Sequence, residues 1–497
     1  MAVHPGSGAC HDSQVNEANT TARHSAKSGN DAASSTGAPP TDTAEELNKA
    51  RAGRPSTDEF RQFLASGWEM ADASVTAVAA APYAAQRRRR LSEAFPGMRI
   101  VVPAGELKTR SNDTDYRFRP TSDFAYVTGL GADHEPGAVL VMEPVATGGH
   151  EATLYLIPPS GPGDEGFYAD PRSGEFWIGR RPSLADFAAM TGLRTAPLRE
   201  LPGGIRLSAQ PTKAVRRALS EMRMVKDDYE IQQMRDAVNA TIAGFERVVR
   251  ELPRAIDHKR GERVVEATFD AHAREEGNAV GYETIAAAGD HATTLHWIRN
   301  TGQVRRGDLL LLDAGVELES LYTADITRTL PIDGVFTPVQ RQVYEVVLEA
   351  ADAGHAIVAP GVKFIDIHLA AMEVIERRLT EWGIVPPMDD PASKLYRRWM
   401  VHSTSHHLGM DVHDCDAAKR ELYLDGELEA GMIFTIEPGL YFKANDLTVP
   451  AELRGIGVRI EDDVLVTHTG GENLSAALPR DPDAVQAWMA RAGHRAL

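Results

Sequence analysis

The chain has 497 residues, with 71 acidic against 53 basic side chains and a net charge of −18. That excess repels phosphate, which argues against nucleic acid or an anionic membrane surface as a partner. The length exceeds what one ordinary core can serve, so two domains plus an extra segment are expected. The first ~55 residues are rich in Ser, Thr, Ala, Gly and Asn and almost lack large apolar side chains. Such a segment cannot offset its ordering entropy by burial, so residues 1–57 are expected to be a disordered tail. Val75–Ala85 is the most apolar early stretch, but it is short and Pro82 breaks it. It predicts neither a membrane span nor an export signal. A helix is expected from about Pro82, and the Arg87–Arg90 run inside it reads as a solvated helix face.

Alternating strand and helix patterns over 58–217 predict a small α/β domain. A second domain follows over 218–497, opened by a long amphipathic helix. Asp227 and Glu230 make a capping-box pattern there, and Ile231, Met234, Val238, Ile242, Phe245 and Val249 recur at helical spacing. Leu309–Asp313 reads as a buried strand, with a hairpin turn within Val316–Leu321 and a return strand over Tyr322–Thr329. Met432–Glu437 and Ile456–Val466 read as two more strands. In the second of these, Arg459 and Glu461 share a face while Val458 and Ile460 point the other way.

Five side chains carry the chemistry: Asp313, Asp325 twelve residues later, Glu437 and Glu461 on these strands, and His406 in the segment His402–Gly409. An acid on the inner face of a strand, flanked by apolar neighbours, is expensive to bury unless paired or coordinated. Each acid alone could be a solvated turn residue; four in such contexts together with His406 point to a metal centre. Four carboxylates with one imidazole suit a two-metal hydrolase whose ions lie ~3.5–4 Å apart. Oxygen-rich ligation without a thiolate favours Mn²⁺, Mg²⁺ or Co²⁺ over a structural zinc. Cys10 and Cys415 are too few for a disulfide framework, which fits a reducing cytoplasm. Cys415 follows His413 by two residues, but one isolated thiol is not read as a ligand. No GxSxG, HExxH, Walker or CxxC signature is present.

These segments resemble a known family. Asp313-Ala314-Gly315, Ala324-Asp325-Ile326-Thr327-Arg328-Thr329, the His402/His406/His413 segment, Ile436-Glu437-Pro438-Gly439 and Arg459-Ile460-Glu461-Asp462-Asp463 are similar to those of the pita-bread metallopeptidases. That family includes aminopeptidase P, prolidase and methionine aminopeptidase. Upstream, Arg110–Asp113, Tyr116–Arg119, Ser122–Gly129 and Phe176–Arg181 resemble the amino-terminal domain of aminopeptidase P. Two departures are Ser403, where the family usually has glycine, and a spacing between Asp313 and Asp325 one residue longer than in some relatives; neither removes a ligand.

The resemblance implies an α/β protein with a small amino-terminal domain followed by a pita-bread catalytic domain. It also implies two Mn²⁺ ions, with Asp313 on one, His406 and Glu437 on the other, and Asp325 and Glu461 bridging. Glu437 would move the proton, His413 would stabilise the oxyanion, and His296 and His402 would position substrate. His407 and His468 are read as structural. Arg459 would pair with an acid, for which Asp113, from the same or another subunit, is the candidate. The implied activity removes the first residue of peptides with proline second, in the cytoplasm and as a homo-oligomer, a dimer or tetramer with Trp177 lining a neighbour's site. Prolidase, which shares the site but takes dipeptides, is the nearest alternative. A pita-bread module without catalysis is remote, because all five ligands are in place. Methionine aminopeptidase is disfavoured by the large amino-terminal domain.

Overall fold

The computed structural model describes residues 57–69, 75–112, 114–205, 210–387 and 390–494, so residues 1–56 of the expected tail lie outside the described residues. The amino-terminal part is built on a four-stranded sheet in the order Ile100–Pro103, Val139–Pro144, His150–Leu156, Arg194–Pro197. The first three strands pair antiparallel and the last pair is parallel. Val139 to Met142 form an unbroken buried run, as a central strand covered on both faces requires. Leu91 of the helix Ala81–Ala94, Phe124 and Tyr126 of the helix Ser122–Thr128, and Phe187 of the helix Leu184–Thr191 pack in this part. The same apolar cluster continues into Met234, Tyr322, Leu408 and Ile433, so this core runs without a gap into the carboxy-terminal part.

The helix expected near Pro82 forms, but the arginine run is not a solvated face. Arg89 and Arg90 are exposed, whereas Arg87 and Arg88 are buried. Arg87 reaches Asp227 at 2.7 Å and Glu230 at 3.2 Å, and its guanidinium lies 4.2 Å from the centre of the Tyr126 ring. Arg88 donates to the Val127 carbonyl at 2.7 Å. Its partners stand on other elements, so the local charge pattern could not report them.

The long helix spans Asp228–Asp257, and both hydrogen bonds of the capping box between Asp227 and Glu230 are made. Met234, Val238, Phe245 and Val249 are buried along it. Beneath lies a three-stranded antiparallel sheet, Ile326–Pro331, Leu309–Ala314, Ile285–Ala288, in which Asp313 stands opposite Thr327 and Ile285. The turn falls at Leu318–Leu321, within the expected segment. The return strand begins at Ile326 rather than Tyr322, because the outgoing Val316–Glu317 pairs with Ala279–Val280 and meets the returning chain only through the bridge of Glu317 to Thr323; at Gly315 the two arms come closest. A Cβ there would stand 1.7 Å from the Ala324 carbonyl oxygen, a close approach that only glycine permits.

The strand expected over Ile456–Val466 is two strands. Gly457–Arg459 pairs with Gly439–Tyr441, and Asp462–Val466 pairs with Ile433–Ile436. Pro438 has no N–H to continue the ladder on the partner side, so both ribbons break at one level. At the break Glu461 donates its N–H to Thr327 and Ile460 donates to Pro438. The two glutamates picked out in the sequence, Glu437 and Glu461, both stand at this break.

Candidate functional site

Four segments deliver the site. The end of the Leu309–Ala314 strand carries Asp313, and Asp325 lies one residue before the return strand. His406 stands on a segment that runs beside Ile433–Ile436: Thr435 donates to the His406 carbonyl at 2.9 Å, and Glu437 to that of Thr404 at 2.8 Å. Those bonds set the imidazole beside Glu437, and the broken ribbon adds Arg459 and Glu461. All nine residues picked out in the sequence line one cavity of about 430 Å³: Asp313, Asp325, His406, Glu437, Glu461, His296, His402, His413 and Arg459. Leu295, Ile285, Ile298 and Val412 supply apolar wall.

Asp325, His406 and Glu461 are the tightest group, each with a ligand atom within 4.8 Å of the others. His406 Nε2 is 3.3 Å from Asp325 and 3.6 Å from Glu437. Asp313 joins through Tyr282, whose hydroxyl is 2.7 Å from Asp313 Oδ1 and 2.5 Å from Asp325 Oδ1. Burial and then mutual repulsion push Glu461 well above the usual carboxylate range. Burial likewise raises Glu437 to about 7, although His406 and Arg459 oppose it. Burial would lower His406, but Asp325 and Glu437 carry it up to about 9. Four carboxylates here face one guanidinium and one imidazole, so their full ionisation calls for further positive charge. An oxygen-rich, single-imidazole donor set of this charge fits divalent cations.

Arg459 meets an acid, as expected, and that acid is Asp313 itself. It also donates to Tyr441 and Thr327, each at 3.1 Å. Asp113 lies outside the described residues. Both ring nitrogens of His402 are engaged within the chain, by the Ser403 carbonyl at 2.6 Å and the Tyr441 hydroxyl at 2.8 Å. His296 and His413 are exposed to the cavity, and the His413 ring stands edge-on to His406 at 4.4 Å. His407 is buried and stacked on Phe364 at 4.6 Å, while His468 is exposed and away from the cavity.

Tyr282, Thr327 and Tyr441 escaped the sequence reading. Thr327 donates to Glu461 at 2.6 Å while accepting from Arg459, so one hydroxyl organises two site residues. Its only signal was its place two residues after Asp325. Tyr282 and Tyr441 are lone tyrosines without a pattern that could mark them.

Residues 232–468 match the metallopeptidase family M24, and residues 84–213 match the aminopeptidase P, N-terminal domain. Xaa-Pro aminopeptidase 1 of Streptomyces coelicolor is 49% identical over 465 residues, covering 87% of this chain and 92% of that protein. The structure of Pseudomonas aeruginosa aminopeptidase PepP superposes with a TM-score of 0.70 at 30% identity, over 83% of this chain and 98% of that one. Zn-substituted E. coli aminopeptidase P in complex with product gives 0.69 at 29% identity, over 82% and 98%. With both parts matched in order, and nearly half of the aligned residues shared with one relative, the chain belongs to the aminopeptidase P family of M24 metallopeptidases.

Proposed function

We propose that this hydrolase is an Xaa-Pro aminopeptidase, releasing the first residue of peptides whose second residue is proline. The convergence of nine polar residues on one cavity in a chain of this family carries the reading. Asp313, Asp325, His406, Glu437 and Glu461 would hold two divalent cations, Mn²⁺ by preference, as hard oxygen donors with one imidazole suit. Bound there, such ions lower the pKa of water and polarise a carbonyl oxygen. Glu437, with one oxygen 3.6 Å from His406 and the other 3.6 Å from His402, takes the proton of the attacking water and passes it to the proline nitrogen. His413, open to the cavity, donates to the carbonyl oxygen as negative charge develops there. His296 positions substrate at the exposed rim, and His402, held by Ser403 and Tyr441, shapes the wall. Arg459 steadies Asp313. Proline lacks the amide N–H that general aminopeptidases grip, which gives a separate enzyme for this bond its use.

The amino-terminal domain is assigned to 58–217 and the catalytic domain to 218–497. Among the described residues no helix is long and apolar enough to cross a membrane. Cys415 is buried and free, which supports a cytoplasmic location. Phe176, Trp177 and Ile178 are 65%, 43% and 47% exposed, an apolar surface that a second copy would cover in a homo-oligomer.

A peptide panel with Mn²⁺ tests the activity. Arg-Pro-Pro should be cleaved with higher kcat/KM than Arg-Pro, and replacing the second-position proline with alanine should cost at least about tenfold, ~1.4 kcal/mol. Efficient cleavage of dipeptides alone would make the enzyme a prolidase instead.

A further inference from the structure

The ring of His413 touches His406 edge-on, and among the described residues no hydrogen bond reaches its nitrogens. Its position is therefore set by the loop that carries it, and that loop is held from the amino-terminal domain. Arg119 directs Nη2 at the Met410 carbonyl, 2.7 Å away, and at Oδ1 of Asp411, 3.4 Å away. Ser122 donates its hydroxyl to the same Asp411 oxygen at 2.6 Å. On the far side of His413, the buried Asp414 accepts from Arg223 Nε at 2.9 Å, and Arg223 also pairs with Asp123. Burial alone would raise Asp414, but Arg223 and Lys226 hold it below the usual carboxylate range. Both flanks of His413 are thus anchored, one by Arg119 and Ser122, the other through Arg223 to Asp123.

Arg119 also grips a second segment. Its Nε is 2.6 Å from Oε2 of Glu317, whose other oxygen accepts from Asn278 at 2.7 Å. Glu317 lies on the chain that connects Asp313 to Asp325. One guanidinium therefore joins the hairpin bearing two candidate ligands to the loop bearing His413. Its planar fork can hold two directions at once, as a lysine cannot.

We propose that Arg119 and Ser122 are positioning residues of the amino-terminal domain, which set His413 at the working distance from the substrate carbonyl oxygen. The proposal rests on the assignment of His413 as the oxyanion donor. A misplacement of about 1 Å in such a group costs about a hundredfold in rate, so a hydroxyl and a guanidinium far from the reacting bond can govern turnover.

The test measures kcat and KM for Arg-Pro-Pro with the Mn²⁺-loaded full chain, for Ser122→Ala and Arg119→Gln in the wild-type and His413→Ala backgrounds. Each substitution should lower kcat about tenfold, with KM changed less than about threefold. Ser122→Ala should not lower kcat further once His413 is alanine, and Arg119→Gln, which also releases Glu317, should cost less there than in the wild-type background. An equal loss in both backgrounds would show an effect on the fold or the metal ligands, and would overturn the proposal. So would an unchanged kcat in folded Ser122→Ala while His413→Ala is impaired, which leaves the role of His413 standing. Undiminished activity of His413→Ala would remove the oxyanion assignment and the proposal together. Should Arg119→Gln not fold, Ser122→Ala, which removes a single hydroxyl, carries the comparison.

Discussion

The Tyr282 hydroxyl stands 2.5 Å from Oδ1 of Asp325, across 43 positions of sequence. The same hydroxyl lies 2.7 Å from Asp313. A phenol has one hydrogen to donate, so it satisfies one carboxylate at a time and orients both. Tyr282→Phe keeps the ring and deletes that contact. Losing a partner that orients metal ligands costs about 10- to 100-fold in metal affinity. Calorimetric titration of the metal-stripped variant with Mn²⁺ should show a loss in this range, and wild-type affinity would refute an orienting role for Tyr282.

Glu437→Gln keeps volume while removing a ligand charge and the proton acceptor. Turnover should fall by about 10²- to 10⁴-fold, the span typical of a lost acid–base group. The far-ultraviolet circular dichroism should be that of the wild type. Activity within about tenfold of wild type would be incompatible with the role given to Glu437.

Without added metal, stability should fall as pH rises from about 6.5 to 9. His406 is raised from 6.5 to about 9, so across this window the native chain keeps a proton that the unfolded chain has released, whereas Glu437, raised from 4.5 to about 7, loses its contribution earlier, as pH climbs through about 7. Stability from the His406 shift is fully present below pH 6.5 and is lost as pH climbs through about 9. His402 and His407, pushed down to about 3 by burial, act in the opposite sense, but only below pH 6.5, where unfolded histidines gain protons. Metal binding needs these same ligand atoms deprotonated, so Mn²⁺ should stabilise more at the alkaline end. Melting temperatures across this window, with chelator and with Mn²⁺, check both slopes; parallel curves would mean that these side chains do not hold the metal.

Arg87 is the buried cation between the amino-terminal helix Ala81–Ala94 and the start of the long helix at Asp227. Arg87→Met would fill much of the same space yet leave Glu230, 2% exposed, without its cation. Removing one partner of a buried pair costs about 3–5 kcal/mol, so the urea midpoint should drop markedly. Arg90→Met, at an exposed site of the same run, should change it little. Equal effects at the two positions would contradict the burial difference between them.

The amino-acid sequence by itself determined the elements whose logic is local. The capping box at Asp227 and Glu230 and the apolar spacing along Asp228–Asp257 mark a helix wherever they occur. The run Leu309–Leu312 ending in Asp313 marks a buried strand with an acid that needs a counter-charge. The same reasoning marked the four candidate carboxylates, since a carboxylate in apolar surroundings is conspicuous without any knowledge of its neighbours, whereas His406 stood out only within the His402/His406/His413 segment. Tertiary structure alone decided what each side chain meets. Arg87 and Arg90 are alike in sequence, and only packing against Tyr126, Glu230 and Asp227, the last 140 residues away, makes one buried and the other solvated. Pro438 ended one strand, and pairing across the ribbon passed the break to Ile460–Glu461, where no local signal stood. Tyr282 became part of the site because two strands brought Asp313 and Asp325 to its hydroxyl. Periodicity and capping report the geometry of a few consecutive residues, whereas these contacts are made by long-range packing, which no short pattern records.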